Sequence, residues 1–209
     1  MPSHAESVQA LLFDLGKVCL QFDHERMVRQ LAGVVQASPP DVRTFLIESD
    51  LFAGVERGDV SEPVLWQRVR ETFESAATDE ELADAAGDIF SKMPGMGALL
   101  SQLGEAGLPR VLVSNTNPFH IRWIRRQFSV LSHFDSLVLS YEVNASKPEP
   151  RFYEAAADRA GCPASSCVFV DDLPANVEGA RRAGMDGVLF LSVEQLAAEL
   201  RSRGVLPET

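Results

Sequence analysis

One short stretch near the start of the chain, Ala10 to Leu20, constrains its fold most strongly; it reads ALLFDLGKVCL. Its apolar residues, Leu11 to Phe13, form a run typical of a strand that is buried on both faces. The run ends at Asp14, and Gly16 follows two residues later. An aspartate at the carboxyl end of a buried parallel strand faces the crevice where open α/β sheets bind ligands. The stretch therefore predicts a parallel sheet with a polar site at the end of its first strand, although a capped strand end without a site also fits.

The next part of the chain, residues 19–92, has helical periodicity and almost no strand signal. Capping residues and apolar spacing predict four helices in this part, the last running to about Lys92; they begin near Asp23, Ser38, Ser61 and Thr78. We therefore expect a small helical bundle over residues 19–92, inserted after the first strand. The remaining residues, 1–18 and 93–209, are predicted to form the core domain.

From Pro94 onward the pattern alternates between helix and strand. Apolar runs predict strands over residues 111–113, 136–139, 168–170 and 188–191, and capped helical segments separate these runs. Strands that alternate with helices are joined by right-handed crossovers. Together with the first strand, they predict an α/β fold built on a doubly wound, Rossmann-like parallel sheet of five strands.

Polar residues follow several of these predicted strands. They are Asp14, Ser114 with Asn115, Lys147, and Asp171 with Asp172. Because the carboxyl ends of parallel strands share one edge of the sheet, residues far apart in sequence meet there. Carboxylate and carbonyl oxygens suit Mg²⁺, and phosphoryl transfer needs a nucleophile, such as an aspartate, with a lysine and a hydroxyl that hold the transferring group. Taken singly, each of these polar groups also fits an ordinary surface turn.

Four segments of the chain follow one another as the four motifs of the haloacid dehalogenase superfamily do. The segments are FDLGKV, VLVSNTN, SKPEPRFY and VFVDDLPANVEGARRAGM. The chain therefore resembles that superfamily over its whole predicted core, and residues 19–92 match the family's helical cap in position and size. Within the superfamily, the chain is similar to bacterial sugar-phosphatase-like members such as the α-D-glucose-1-phosphate phosphatase group.

The resemblance implies a nucleophile and a metal site. Asp14 would be both the nucleophile and a metal ligand, and the backbone carbonyl of Gly16 would also bind the metal. Asp171 would bind Mg²⁺ directly, and Asp172 would bind it directly or through water.

The resemblance also implies a substrate-binding set at the other strand ends. Ser114 would hydrogen-bond the phosphoryl group with help from the backbone amide of Asn115, and Lys147 would pair with Asp14 and the phosphate. The expected activity is Mg²⁺-dependent hydrolysis of a small phosphorylated metabolite, such as a sugar phosphate, through an aspartyl-phosphate. Two alternatives stay open: a 2-haloacid dehalogenase, which uses an aspartate nucleophile without a metal, and a non-catalytic phosphate-binding or regulatory module.

One position departs from the family pattern. Most phosphatases of the family carry a second aspartate, a general acid and base, where this chain has Gly16. Glycine transfers no proton, and loss of such a group typically costs about 10²–10⁴ in rate. Two explanations remain open: a leaving group that needs little protonation, such as an anomeric phosphate, or a replacement acid from the helical segment. Asp23, His24 and Glu56 are the candidates for that acid.

Composition limits the partners and the compartment. The net charge of -11 over 209 residues argues against nucleic acid and anionic membranes as partners, because both require a basic face. The three cysteines suggest no paired framework, which favours a reducing compartment. The first residues, MPSHAESVQ, lack the basic region and long apolar run of a signal peptide. We therefore expect a cytoplasmic protein, either a monomer or a homodimer.

Overall fold

A computed structural model describes residues 7–207, with the backbone alone at positions 47 and 48. The strands are β1 (Ala10–Phe13), β2 (Leu20–Phe22), β3 (Phe90–Lys92), β4 (Arg110–Ser114), β5 (Ser136–Leu139), β6 (Cys167–Asp171) and β7 (Asp186–Leu189). Five of them form a parallel sheet in the order β5-β4-β1-β6-β7. The predicted five-stranded α/β sheet is thus confirmed, while residues 1–6 and 208–209 of the predicted core lie outside the described part.

The central strands align their carboxyl ends. Every residue of β1 and β6 is buried, as expected for strands covered on both faces. Phe13 of β1 pairs with Leu112 of β4 on one side and with Val170 of β6 on the other. This register places Asp14, the residue after β1, level with Asp171, the last residue of β6.

Helices cover both faces of the sheet. They are α1 (His24–Val35), α2 (Pro39–Arg43), α3 (Leu51–Arg57), α4 (Glu62–Phe73), α5 (Asp79–Gly87), α6 (Met96–Glu105), α7 (Pro118–Gln127), α8 (Ser140–Val143), α9 (Pro150–Ala160), α10 (Pro174–Arg182) and α11 (Val193–Ser202). Helices α6 and α11 pack with Leu11 and Phe13 on one face, and α9 and α10 pack with Ala10 and Leu12 on the other. None of the helices in residues 7–207 has both the length and the apolar character needed to cross a bilayer.

Helices α1 to α5 have an apolar cluster of their own. Met27, Leu65 and Trp66 belong to it, and so does Phe119 from α7 of the core. A π-helical turn, Thr44–Glu48, follows α2 within this segment. Because Phe119 joins the cluster, the helical segment rests directly on α7.

A short antiparallel pair of strands, which the sequence analysis did not predict, flanks the helical segment. In this pair Phe22 of β2 lies opposite Phe90 of β3. The expected helix that reaches about Lys92 is wrong in its last part, since α5 ends at Gly87 and β3 follows. Gly87 lies so close to α7 that a Cβ there would be 2.8 Å from Cβ of Trp123. The β2–β3 pair connects both ends of the helical segment to the core.

Candidate active site

A buried ion-pair network lies at the carboxyl edge of the central strands. Lys147 Nζ donates a hydrogen bond to Asp14 Oδ1 at 2.6 Å and another to Asp171 Oδ2 at 2.7 Å. The side chain of Lys147 is 1% exposed and that of Asp171 is 0% exposed, so solvent screens these contacts little. Three residues from separate sequence motifs therefore meet at one point.

The loop after β4 holds Lys147 in place. The side chain of Asn115 accepts a hydrogen bond from Lys147 N at 2.9 Å and donates one to Lys147 O at 3.0 Å. Lys147 Nζ also donates to the carbonyl oxygen of Val113 at 3.3 Å. The sequence analysis considered only the backbone amide of Asn115. It missed the side-chain contact because the two residues are 32 positions apart and no local pattern links them.

Asn176 is a further site residue that the sequence analysis missed. Its Nδ2 lies 3.0 Å from Asp171 Oδ1 and 3.1 Å from Asp171 Oδ2. The backbone N–H of Leu173 donates to Asp171 Oδ1 at 2.9 Å. Together with Lys147, these donors fix the orientation of the Asp171 carboxylate. Asn176 lies in the first turn of α10, shortly after Asp171 in the chain. This position could have identified it in the sequence as a partner of Asp171.

Asp172 completes a cluster of three carboxylates. One oxygen from each of Asp14, Asp171 and Asp172 lies within 4.8 Å of the others. Lys147 pairs directly with Asp14 and Asp171 but not with Asp172, so the cluster keeps negative charge that a divalent cation would balance. Hard cations such as Mg²⁺ prefer oxygen ligands of this kind. The residues present therefore fit the predicted metal. Gly16, whose carbonyl was the other predicted ligand, lies in the loop that follows Asp14.

Burial and neighbouring charges shift the pKa values of the network. Burial raises the pKa of Asp14; the charge of Lys147 opposes this shift, and that of Asp171 adds to it. Burial also raises the pKa of Asp172, with a contribution from Asp171. For Lys147, burial disfavours the charged form, but the two aspartates outweigh burial and raise its pKa. Lys147 therefore stays positively charged. A further positive charge nearby would stabilise the ionised forms of the aspartates.

A cavity of about 170 Å³ lies beside the network. Ser114 and Asn115 line it from the end of β4, and Gly16 lines it from the loop after β1. Ser114 is buried, and its hydroxyl donates to the carbonyl oxygen of Asn115 at a long 3.4 Å. So weak a contact is readily exchanged for one with a ligand. Two of the three predicted phosphate-binding residues, Ser114 and Asn115, therefore face one space.

The three candidate acids of the helical segment lie in different places. His24 and Glu56 line the cavity. Asp23 instead caps α1, where its Oδ1 accepts a hydrogen bond from the backbone N–H of Arg26 at 3.0 Å. Asp23 therefore has a structural role as the N-cap of α1.

Similar proteins were found by sequence. The family model for haloacid dehalogenase-like hydrolases matches residues 8–184. Phosphatase MT3486 from Mycobacterium tuberculosis is 28% identical over 200 residues, which cover 88% of this chain and 87% of the relative. D-ribitol-5-phosphate phosphatase from Bacteroides thetaiotaomicron is 24% identical over 186 residues, which cover 86% of this chain and 90% of the relative.

Solved structures with the same fold include the HAD family enzyme bt-2542 from Bacteroides thetaiotaomicron. One of its structures has a TM-score of 0.81 at 25% identity and covers 94% of this chain and 100% of that chain. Another, a complex with magnesium and inorganic phosphate, has a TM-score of 0.78 at 25% identity and covers 93% of this chain and 100% of that chain. Since the family model spans most of the sequence, this chain belongs to the haloacid dehalogenase-like hydrolases and is an enzyme of the hydrolase class.

Proposed function

We propose that the enzyme is a Mg²⁺-dependent phosphatase that hydrolyses a small phosphorylated metabolite through an aspartyl-phosphate on Asp14. The observation that carries this proposal is the contact of Lys147 with both Asp14 and Asp171, with a third carboxylate, Asp172, within 4.8 Å. Such a set supplies a nucleophile, a fixed positive charge and oxygen ligands for a cation.

The first step is attack by Asp14 on phosphorus. Lys147 holds Oδ1, so we assign the attack to Oδ2. A bond forms between Oδ2 and phosphorus, the ester P–O bond breaks, and the leaving oxygen takes a proton. Ser114 donates its hydroxyl hydrogen bond to a phosphoryl oxygen, the Asn115 amide assists, and Lys147 neutralises developing charge.

The second step releases phosphate from the enzyme. Water attacks phosphorus and loses a proton, the bond between phosphorus and Oδ2 breaks, and the Asp14 carboxylate is restored with inorganic phosphate as product. Asp14, Asp171 and Asp172, with the carbonyl of Gly16, would hold Mg²⁺. When bound, the ion neutralises charge on the phosphoryl oxygens and orients them.

The substrate class follows from the space available and from the relatives. A cavity of about 170 Å³ suits a leaving group of a few carbon atoms. D-ribitol-5-phosphate phosphatase is among the relatives, and we propose a sugar phosphate or sugar-alcohol phosphate as substrate. Residues 19–92 would act as the cap over a core of residues 1–18 and 93–209 in a cytoplasmic enzyme, where such metabolites occur.

The test is a panel of phosphorylated metabolites, D-ribitol 5-phosphate among them, assayed for phosphate release with Mg²⁺ and with EDTA. The proposal predicts release in Mg²⁺ and none in EDTA. Chloride release from 2-chloropropionate that persists in EDTA would favour the dehalogenase alternative. Mg²⁺-dependent binding of phosphate compounds without turnover would favour a non-catalytic module, and either result contradicts the proposal.

A further inference from the structure

The proposed phosphatase reaction requires a proton donor that the network of Asp14, Lys147 and Asp171 does not contain. An alkoxide leaving group departs slowly unless it is protonated as the P–O bond breaks. Lys147 is held by Asp14, Asp171 and the carbonyl of Val113. The donor must therefore come from another wall of the cavity.

The wall next to Gly16 is closed to a side chain. A Cβ at Gly16 would lie 2.7 Å from Cε1 of Phe22. The Phe22 ring thus occupies the space that a longer residue at this position would need. The cavity is also lined by residues near the ends of β1 and β4, by the helical segment and by α7. Its titratable lining residues are His24, Glu56 and His120.

The two histidines are poorly suited to give up a proton at neutral pH. Burial lowers the pKa of His120 to about 3, and Asn117 Nδ2 lies 3.0 Å from its Nδ1. Burial, and then the charge of Lys17, lower the pKa of His24. Both imidazoles are therefore biased toward the neutral form, in which they shape the cavity without acting as acids.

Glu56 has the opposite character. It lies on α3 and lines the cavity together with Gly16 and Ser114. It is partly buried, and it is the one carboxylic acid among the described residues that line this cavity. From the position of Glu56 in the cavity wall, we propose that it is the general acid that protonates the leaving oxygen in the first step. In the second step it would be the general base that activates water.

The surroundings of Glu56 favour its acid form. Arg57, its neighbour, donates hydrogen bonds to Asp50 at 2.9 Å and to Asp59 at 2.8 Å and makes none to Glu56 among the described contacts. Burial raises the pKa of Glu56 to about 7, and the charge of Arg57 only partly opposes this shift. This shift brings the pKa of Glu56 close to the pH range in which an acid–base catalyst is most effective.

The proton balance closes over the two steps. In the first, the Glu56 carboxyl transfers its proton to the leaving oxygen as the P–O bond breaks, and becomes a carboxylate. In the second, that carboxylate takes a proton from the water that attacks the aspartyl-phosphate. Each turnover therefore returns Glu56 to its protonated state.

The experiment compares Glu56→Gln with the wild type on two substrates in Mg²⁺: D-ribitol 5-phosphate, whose leaving group needs a proton, and p-nitrophenyl phosphate, whose leaving group does not. We expect kcat/KM for D-ribitol 5-phosphate to fall by about 10²–10⁴. For p-nitrophenyl phosphate, kcat/KM should stay nearly unchanged. This ratio reports only the first step, and in that step the p-nitrophenolate leaving group needs no proton. Glu80→Gln, at an exposed position on α5, is the matched control and should behave as the wild type.

Equal loss on both substrates, or loss on neither, would overturn the role of Glu56 while leaving the phosphatase proposal intact. If another metabolite of the panel is hydrolysed faster than D-ribitol 5-phosphate, that metabolite takes its place in the comparison. A wild type that releases phosphate from no member of the panel and not from p-nitrophenyl phosphate would instead overturn the phosphatase function itself, and the role of Glu56 with it. The thermal unfolding midpoints of Glu56→Gln and the wild type are compared as well. Equal midpoints would show that a loss of kcat/KM is chemical rather than structural.

Discussion

Lys147 is the residue on which both central carboxylates depend. It is buried, yet it makes hydrogen bonds to Asp14, to Asp171 and to the carbonyl of Val113. Removing one partner of a buried ion pair leaves the other charge without compensation, which is more costly than losing a surface pair. The stability of the chain is therefore tied to its chemistry at this one position.

We predict that Lys147→Met destabilises the protein by about 3–5 kcal/mol in EDTA. Added Mg²⁺ should recover more stability in this variant than in the wild type, since a cation replaces the missing positive charge. Urea unfolding with EDTA and with Mg²⁺ measures both effects. Lys92→Met, at an exposed position, is the control. A Lys147→Met variant as stable as the wild type in EDTA would contradict the prediction.

Among the elements, those with continuous local patterns were predicted and those made by distant pairing were not. The strands β1, β4 and β6 are apolar runs, and their register follows from parallel pairing. The β2–β3 pair has only three residues in each strand and joins Phe22 to Phe90 across the whole helical segment. The last strand was expected over residues 188–191 but spans Asp186–Leu189. Leu191, which is 72% exposed, lies beyond its end.

The same distinction applies to the site residues. The residues at strand ends could be predicted because parallel topology brings those ends together. Asn115 and Asn176 act through side-chain hydrogen bonds to Lys147 and Asp171, and these contacts depend on exact placement in space. Glu56 could be named as a candidate but not chosen, because only the packing of α3 shows that it lines the cavity.

The end of α3 provides a test of how that helix is positioned. Gly58 has φ +83°, and a Cβ there would lie 2.7 Å from the carbonyl oxygen of Tyr141 and 2.7 Å from Oδ1 of Asn144. We predict that Gly58→Ala loses on the order of 1–3 kcal/mol and lowers kcat/KM, since α3 must shift and Glu56 shifts with it. Urea unfolding and steady-state kinetics measure the two effects.

Gly107→Ala is the matched control for that substitution. Gly107 has φ +72° and nothing within 4 Å of the position of a Cβ, so this variant bears the backbone cost of roughly 1–2 kcal/mol without a clash. It should keep wild-type kinetics. Equal stability and activity in the two variants would show that contact with α8 does not position α3.

At the scale of the whole molecule, the dependence of stability on pH includes a contribution from His120, which folding keeps neutral. Folding lowers the pKa of His120 from 6.5 to about 3 because the ring is buried. Below pH 6.5 the unfolded chain therefore binds a proton at His120 that the folded chain does not, and the contribution of His120 to stability falls as the pH drops. This contribution is complete above the unfolded pKa and is lost progressively toward pH 3.

We predict that the stability difference between the wild type and His120→Gln changes with pH. Between pH 7.5 and pH 5.0 the wild type should lose about 2 kcal/mol more than the variant, which lacks the titrating ring. Urea unfolding at the two pH values provides the comparison. A difference that stays constant with pH would show that His120 is accessible to protons in the folded protein.

The net charge of -11 is also a property of the whole molecule, and it opposes binding of an anionic substrate at long range. Local charge decides binding at the site, where Lys147 and a divalent cation would face the phosphoryl group. The chemistry therefore depends on a small region at one edge of the sheet.

The most direct test of the account is to trap the phosphoryl group on the enzyme. Wild-type protein is mixed with p-nitrophenyl phosphate and Mg²⁺, quenched in acid during turnover, and digested for peptide mass spectrometry. The account predicts one phosphoryl group on the peptide that contains Asp14, and neither label nor turnover in Asp14→Asn. Full turnover by Asp14→Asn, or the phosphoryl group on another residue, would contradict it.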